Sequence, residues 1–201
     1  MSEEVFLPHA ATPDRVPMAS SVRGTVLLGS VRGLRTRGLY DRYLEMLEPK
    51  WHETIASLTA GTWLPIDLAM AHYAACDALK LDCDTIEAIG RESGLFVNGT
   101  VLSAVAKISA TAGVTPWFPL SNAHKLQTRT WVGSSIAIYK LGPKEARFEW
   151  IQLPVARFAY MRAGFAAFAG AIGGLFTSKM VVRDMDLIPR SSVVTYRMSW
   201  A

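Results

Sequence analysis

Upstream of about residue 128 apolar side chains recur at three- and four-residue steps; downstream they mostly alternate. The first regime predicts helices. Within 34–58, Leu39, Tyr43, Met46 and Leu47 share a face, and Pro49 breaks or kinks the run. Asp67 opens a helix over IDLAMAHYAACDALK, whose Ile66, Met70, Tyr73 and Asp77 form one stripe. Another follows Asp84-Thr85, with Ile86, Ile89, Val97, Val101, Val105 and Ile108 in step and a break expected near Gly94. Ahead of these, VRGTVLLG (22–29) reads as a strand or strand-like lead-in, and residues 1–20, with Pro8, Pro13 and Pro17, as a flexible tail. TAGTWLP (59–65) and GVTPWFPLSN (113–122) read as loops.

The alternating regime begins with TWVGSSIAIYKL, where Val132, Ile136 and Ile138 lie near one face and Tyr139 on the other. Gly142-Pro143 turns the chain into ARFEWIQL, in which Phe148 and Trp150 alternate with Arg147 and Glu149, a hairpin pattern. After a helix around 156–176 come KMVVRDMDLI, a turn at 189–191, and SVVTYRMSW, where Val194, Tyr196, Met198 and Trp200 alternate with polar residues. The order, helices and then β-β-α-β-β, predicts an α+β fold. Its N-terminal helical layer packs with a four- to five-stranded antiparallel sheet, as one domain over 21–201.

The segment FAYMRAGFAAFAGAIGGLF (158–176) carries large side chains at Phe158, Met161, Phe165, Phe168, Ile172 and Leu175. Ala159, Ala163, Ala166, Ala167, Gly170 and Gly174 leave its opposite side small. Its length invites comparison with a membrane span. Arg162, four glycines and the flanking strand patterns instead predict a helix buried in a domain, with no membrane span. Such a helix fills or lines a cavity with one face and admits a close neighbouring backbone on the other.

Composition narrows the class. Of 201 residues, 50% are hydrophobic and 19% charged, with a net charge of +4, which excludes a disordered or collagen-like chain. Two cysteines, Cys76 and Cys83, exclude a disulfide scaffold and read as reduced cytosolic thiols. With no basic start followed by an apolar run, the N-terminus predicts a cytoplasmic protein. The net charge is +1 over residues 1–50, −5 over 51–100 and +8 over 101–201. This asymmetry favours self-association into a homodimer. The arginines at 32, 35, 37 and 42 read as a solvated helix face, so no nucleic-acid partner is expected.

Catalytic patterns are missing: there is no GxSxG, GxGxxG or HxxxH, and no acid, base and nucleophile at a usable spacing. The residues that read as candidates suit binding. Arg162, the one charge in the apolar helix, must snorkel, pair with an acid, or meet an anionic ligand. Trp63-Leu64-Pro65 and Trp117-Phe118-Pro119 either plug the helical layer or form the mouth of an apolar pocket. His72 and His124 read as hydrogen-bonded or surface histidines, with axial ligation of haem as the alternative. Cys76 reads as a packed thiol.

Several stretches together resemble an uncharacterised paralogous family abundant in myxobacteria: VRGTVLLG, TWLP, IEAIGRESGLFVNGTVLSAVAK, TRTWVGSSIAIYKLGPKEARFEW, and the apolar helix with KMVVRDMDLIPRSSVVTYRMSW. More remotely, the element order resembles a fold group of haem nitric-oxide/oxygen-binding domains, vinyl-reductase domains and TRAPP transport-complex subunits. That resemblance implies a domain enclosing an apolar small molecule, or the remnant of such a cavity, that often dimerises. The chain lacks the haem family's Tyr-x-Ser-x-Arg motif and the cysteine cluster of the zinc-binding vinyl-reductase domains, and no family site residue carries over.

The expectation is therefore a non-enzymatic intracellular sensor or binding module for a lipid-like, aromatic or tetrapyrrole ligand. Trp63, Met70, Tyr73, Trp117, Phe165 and Phe168 would line the site, and Arg162 would meet a ligand carboxylate. The alternatives are a ligand-free homodimeric assembly module and a haem-binding gas or redox sensor.

Overall fold

A computed structural model of the chain describes residues 3–97, 115–186 and 192–201. Strand β1 (Glu4–Leu7) comes first, followed by β2 (Ser21–Arg23) and three helices, α1 (Gly24–Thr36), α2 (Tyr40–Met46) and α3 (His52–Ala56). Next are β3 (Trp63–Pro65), α4 (Ile66–Ala78) and α5 (Cys83–Val97). Beyond residue 114 the order is α6 (Trp117–Ser121), α7 (Ala123–Thr130), β4 (Trp131–Val132), β5 (Ser135–Gly142), β6 (Glu145–Ile151), α8 (Ala159–Gly173), β7 (Met180–Asp184) and β8 (Val194–Trp200).

The main sheet has five antiparallel-paired strands in the order β1-β5-β6-β8-β7. Because β8 lies between β6 and β7, helix α8 must cross over the sheet to connect them. Register brings Ile136 opposite Trp150, Ile138 opposite Phe148, and Phe148 opposite Tyr196, so one face is a continuous apolar floor. Along β8 the buried Val194, Tyr196, Met198 and Trp200 alternate with the less buried Thr195, Arg197 and Ser199, as the sequence pattern predicts. The fold is α+β, with a helical layer of α1, α4, α5 and α8 over that floor.

Several expectations need revision. Only Val22 and Arg23 of VRGTVLLG are extended, as the end of β2, and α1 begins at Gly24, because Leu27, Val31 and Leu34 share a helical face and are fully buried. The run 34–58 is not one helix: α1 ends before Gly38, whose φ is +66°, and α2 and α3 follow on either side of Pro49. The 113–122 segment contains a helical turn, Trp117–Ser121, and the polar α7 follows where no helix was expected. Val132 does not share the inner face of β5. It is 48% exposed on β4, part of a small β3-β2-β4 sheet, after which Gly133 (φ +84°) and Ser134 (φ +60°) turn the chain. The stripe at Val101, Val105 and Ile108 and the turn at 189–191 lie outside the described residues.

Residues expected to form a tail are partly docked. Strand β1 pairs with β5, Val16 and Ala19 are buried, and Ser134 N–H donates to the Pro17 carbonyl at 2.8 Å. Helices α5 and α8 cross closely. A Cβ on Gly90 would stand 2.3 Å from the Gly164 carbonyl oxygen, and one on Gly94 would stand 2.9 Å from that of Phe168. Glycine is what lets the two backbones meet. Among the described residues, no helix is long and apolar enough to cross a membrane.

Candidate functional site

Between the helical layer and the sheet floor lies an apolar cavity of roughly 230 Å³. Helix α8 supplies Tyr160, Met161, Phe165, Phe168 and Ile172; α5 supplies Ile86 and Ile89; the floor supplies Ile136, Phe148, Trp150 and Met198. Pro116, Pro119, Leu120 and residues of α7 close one side. The rings are mutually packed, with Phe165 5.4 Å from Trp150, 5.3 Å from Tyr196 and 6.0 Å from Phe168 between centroids.

Helix α8 is held at its start. Asp77, at the end of α4, accepts the N–H groups of Ala159 (3.1 Å) and Tyr160 (2.7 Å), two of the donors that a helix start leaves unpaired. One turn on, Arg162 is 3% exposed and paired with two acids. Its guanidinium grips both oxygens of Asp184, meets Asp186 at 3.1 Å, and donates to the Ala156 carbonyl at 3.1 Å. Tyr196 donates its hydroxyl to the Arg162 carbonyl at 3.0 Å.

One wall of the cavity is polar. The Ser30 and Tyr160 hydroxyls are 2.8 Å apart, and both residues line the cavity. Behind them His72 Nε2 is 3.1 Å from Ser30 Oγ and 3.7 Å from Cys76 Sγ, and its Nδ1 is 2.8 Å from the Tyr43 hydroxyl. Burial pulls the His72 pKa down to about 3, so the ring is neutral at ordinary pH. Burial likewise pushes the Cys76 thiol and the Tyr43, Tyr73 and Tyr160 phenols up. The cluster is uncharged throughout.

Of the residues expected to line a ligand site, Tyr73, Phe165 and Phe168 stand in the wall of this cavity. Met70 packs against the core on α4 instead. Trp63 is 41% exposed, with the Arg23 guanidinium over its ring. Trp117 stands edge-on to Trp200 at 5.0 Å and donates Nε1–H to the Pro143 carbonyl, while its neighbours Pro116 and Pro119 face the cavity. Arg162 is spent on its two carboxylates. His72 serves the buried network, and His124 hydrogen-bonds the Ile136 carbonyl at 2.9 Å. The reading from sequence missed Phe148, Trp150 and Met198, which strand alternation signalled, and Ser30 and Tyr160, which nothing local distinguished.

Solved structures share this architecture. A ferrous, unliganded H-NOX protein variant from K. algicida superposes with a TM-score of 0.64 at 6% identity, over 89% of this chain and 96% of that one. An oxygen-binding H-NOX domain related to soluble guanylate cyclases, solved as its oxygen complex, gives 0.57 at 13% identity over 89% and 94%. A T. tengcongensis H-NOX variant gives 0.57 at 13% over 88% and 97%. The fold is that of the H-NOX domains. No protein-family model and no curated protein matches the sequence.

An H-NOX fold implies haem, and the residues present do not fit one held by imidazole or thiolate. All four histidines and both cysteines are described, and none lines the cavity. Each histidine has a ring nitrogen already hydrogen-bonded: His9 to Glu149, His52 to the Leu47 carbonyl, His124 to the Ile136 carbonyl and His72 on both sides. Among the described lining residues, iron-ligating types are limited to phenols and thioethers. The cavity also falls below the ~300–1,000 Å³ common for drug-sized ligands.

Proposed function

We propose that this chain is a non-enzymatic binding module that takes up a small apolar molecule between α8 and the sheet and senses it through α8. The observation that carries this reading is the aromatic-lined cavity of roughly 230 Å³. An engineered apolar void of ~150 Å³ stays dry and admits benzene, so this volume suits a substituted aromatic ring or a short acyl chain. Transfer of such a ligand out of water supplies the binding energy, ~25 cal/mol per Å² of apolar surface covered. The quoted sequence stretches support placing the chain in the myxobacterial paralogous family.

Native mass spectrometry of gently purified protein, with lipid extraction, tests the proposal. Extra mass of a small apolar molecule, lost in Ala169→Phe, is expected, because Ala169 lines the cavity and a phenyl group there fills it. A wild-type protein that carries nothing and takes up no small aromatic on titration overturns it.

A second reading is haem binding, which the H-NOX neighbours favour. A Soret band after reconstitution with haemin, abolished by Tyr160→Phe or Tyr73→Phe, would establish it on the residues that line the cavity. No Soret band, with a small aromatic still bound, leaves the first reading.

A further inference from the structure

We infer that the polar wall of the cavity acts as a hydrogen-bond donor through the Tyr160 hydroxyl, and that the ligand is a neutral apolar molecule carrying one acceptor oxygen of ketone, aldehyde or ester type. The inference rests on the reading above and names its ligand class. It follows from where the four protons on nitrogen and oxygen in the buried cluster must go, with the Cys76 thiol a weak donor and acceptor beside them. Tyr43 is fully buried, and among the described residues its hydroxyl has one partner, His72 Nδ1, at 2.8 Å. A buried phenol proton without an acceptor costs ~1–3 kcal/mol, so Tyr43 donates to Nδ1. A neutral imidazole accepting at Nδ1 carries its proton on Nε2. That proton goes to Ser30 Oγ at 3.1 Å, with Cys76 Sγ also within reach. Ser30 has the Cys76 sulfur and the Tyr160 oxygen beside it, and its proton goes to the stronger acceptor, the Tyr160 oxygen at 2.8 Å.

Tyr160 is left holding a proton for which the cluster offers only the Cys76 sulfur, a weak acceptor, and Tyr160 is the member of the relay that lines the cavity together with Ser30. Running the relay backwards would strand the Tyr43 proton in the core, where no ligand can reach it. The order shown puts the open donor where a ligand can accept it. Charge settles the rest of the class. The described lining residues include no Lys, Arg, His, Asp or Glu, and Arg162 on the same helix is held by Asp184 and Asp186. A carboxylate would lose its hydration there with no countercharge.

The test uses the full chain with three probes: acetophenone; α-methylstyrene, in which a CH₂ replaces the carbonyl oxygen; and benzoate. Dissociation constants are measured by ligand-observed NMR, and the carbonyl stretch of bound acetophenone by infrared difference spectroscopy. Acetophenone is expected to bind about tenfold more tightly than α-methylstyrene, the ratio one net hydrogen bond makes, and benzoate not at all at neutral pH. The carbonyl band should fall in frequency on binding. Tyr160→Phe should bring the two affinities together and restore the band. Tyr43→Phe, which releases His72 from its tautomer, should weaken the band shift without touching the cavity wall.

Equal affinities, or an unshifted band, with α-methylstyrene still bound, overturn this inference and leave the proposed function standing. If neither uncharged probe binds, the proposed function falls and the inference with it. Should Tyr160→Phe fail to fold, the wild-type affinity ratio and band position decide alone.

Discussion

The guanidinium of Arg162 on α8 closes onto both oxygens of Asp184 on β7, 22 residues further along the chain. Asp186 joins the pair, and its second role is to accept the Thr195 N–H of β8 at 2.9 Å. One charged group thus ties the crossover helix to the two strands it precedes. Replacing Arg162 with Met would leave two partly buried carboxylates without a partner. We expect a loss of about 3 kcal/mol in urea unfolding, with the cavity residues otherwise intact. An unchanged midpoint would show that the carboxylates rehydrate freely.

His72 makes stability depend on pH. Its folded pKa is held near 3 by burial, against an ordinary value of 6.5. Between those values the unfolded chain binds a proton that the folded chain refuses. Stability from this group is therefore complete above about pH 6.5 and declines as pH falls towards 3, by up to ~1.4 kcal/mol per unit. His72→Gln should flatten that limb of the profile, measured by denaturant titration from pH 7 to 4. An equally steep profile in the variant would place the titrating group elsewhere.

Docking of β1 should loosen in acid. Arg147 holds the Glu3 carboxyl below its usual range, and His9 does the same for Glu149, assisted by Arg147. A lowered carboxylate contributes stability above its ordinary value of 4.5 and loses it as pH falls through the folded value. Amide exchange of residues 4–7, compared at pH 6 and pH 4 after correction for intrinsic rates, should show reduced protection at the lower pH. Glu149→Gln should remove much of that difference. Protection that is the same at both values would mean that backbone pairing alone holds the strand.

Gly90→Ala should separate α5 from α8. The added methyl carbon would lie 2.3 Å from a backbone oxygen, which cannot rotate away. The helices must move apart, and we expect a lower melting temperature together with a change in cavity ligand affinity. Gly164→Ala is the contrasting variant: a Cβ there has its nearest neighbour at 4.0 Å, so stability should hardly change. Equal effects of the two substitutions would count against a close crossing.

Much of this fold can be read locally. The β5–β6 hairpin, the alternation of β8 and the Ile86–Ile89 face of α5 depend on neighbours within a few residues, and there the periodicity and the structure agree. Helix α4 instead buries Leu68, Ala69, His72, Ala75 and Cys76 along with Tyr73, rather than the stripe of Ile66, Met70, Tyr73 and Asp77, and α5 runs through Gly94 without the expected break. Failures occur where a neighbour distant in sequence decides. Residues 4–7 are an edge strand because β5 offers an unpaired edge. Trp63 and Trp117 look like pocket residues by composition, yet the first turns outward under Arg23 and the second packs on Trp200. Their loops hold no information about which face the rest of the chain will cover.

The chain by itself determined the apolar helix near its C-terminal end, the meander of strands around it and the absence of a familiar catalytic pattern, because hydrophobic period and turn chemistry are local properties. It left three fates open for Arg162 and several for His72. Those were decided only when α8 met β7 and α4 met α1 and α2, placing Asp184 and Asp186 against one and Tyr43 and Ser30 against the other. A buried polar group must find a partner, and which one it finds depends on what the fold brings within about 3 Å.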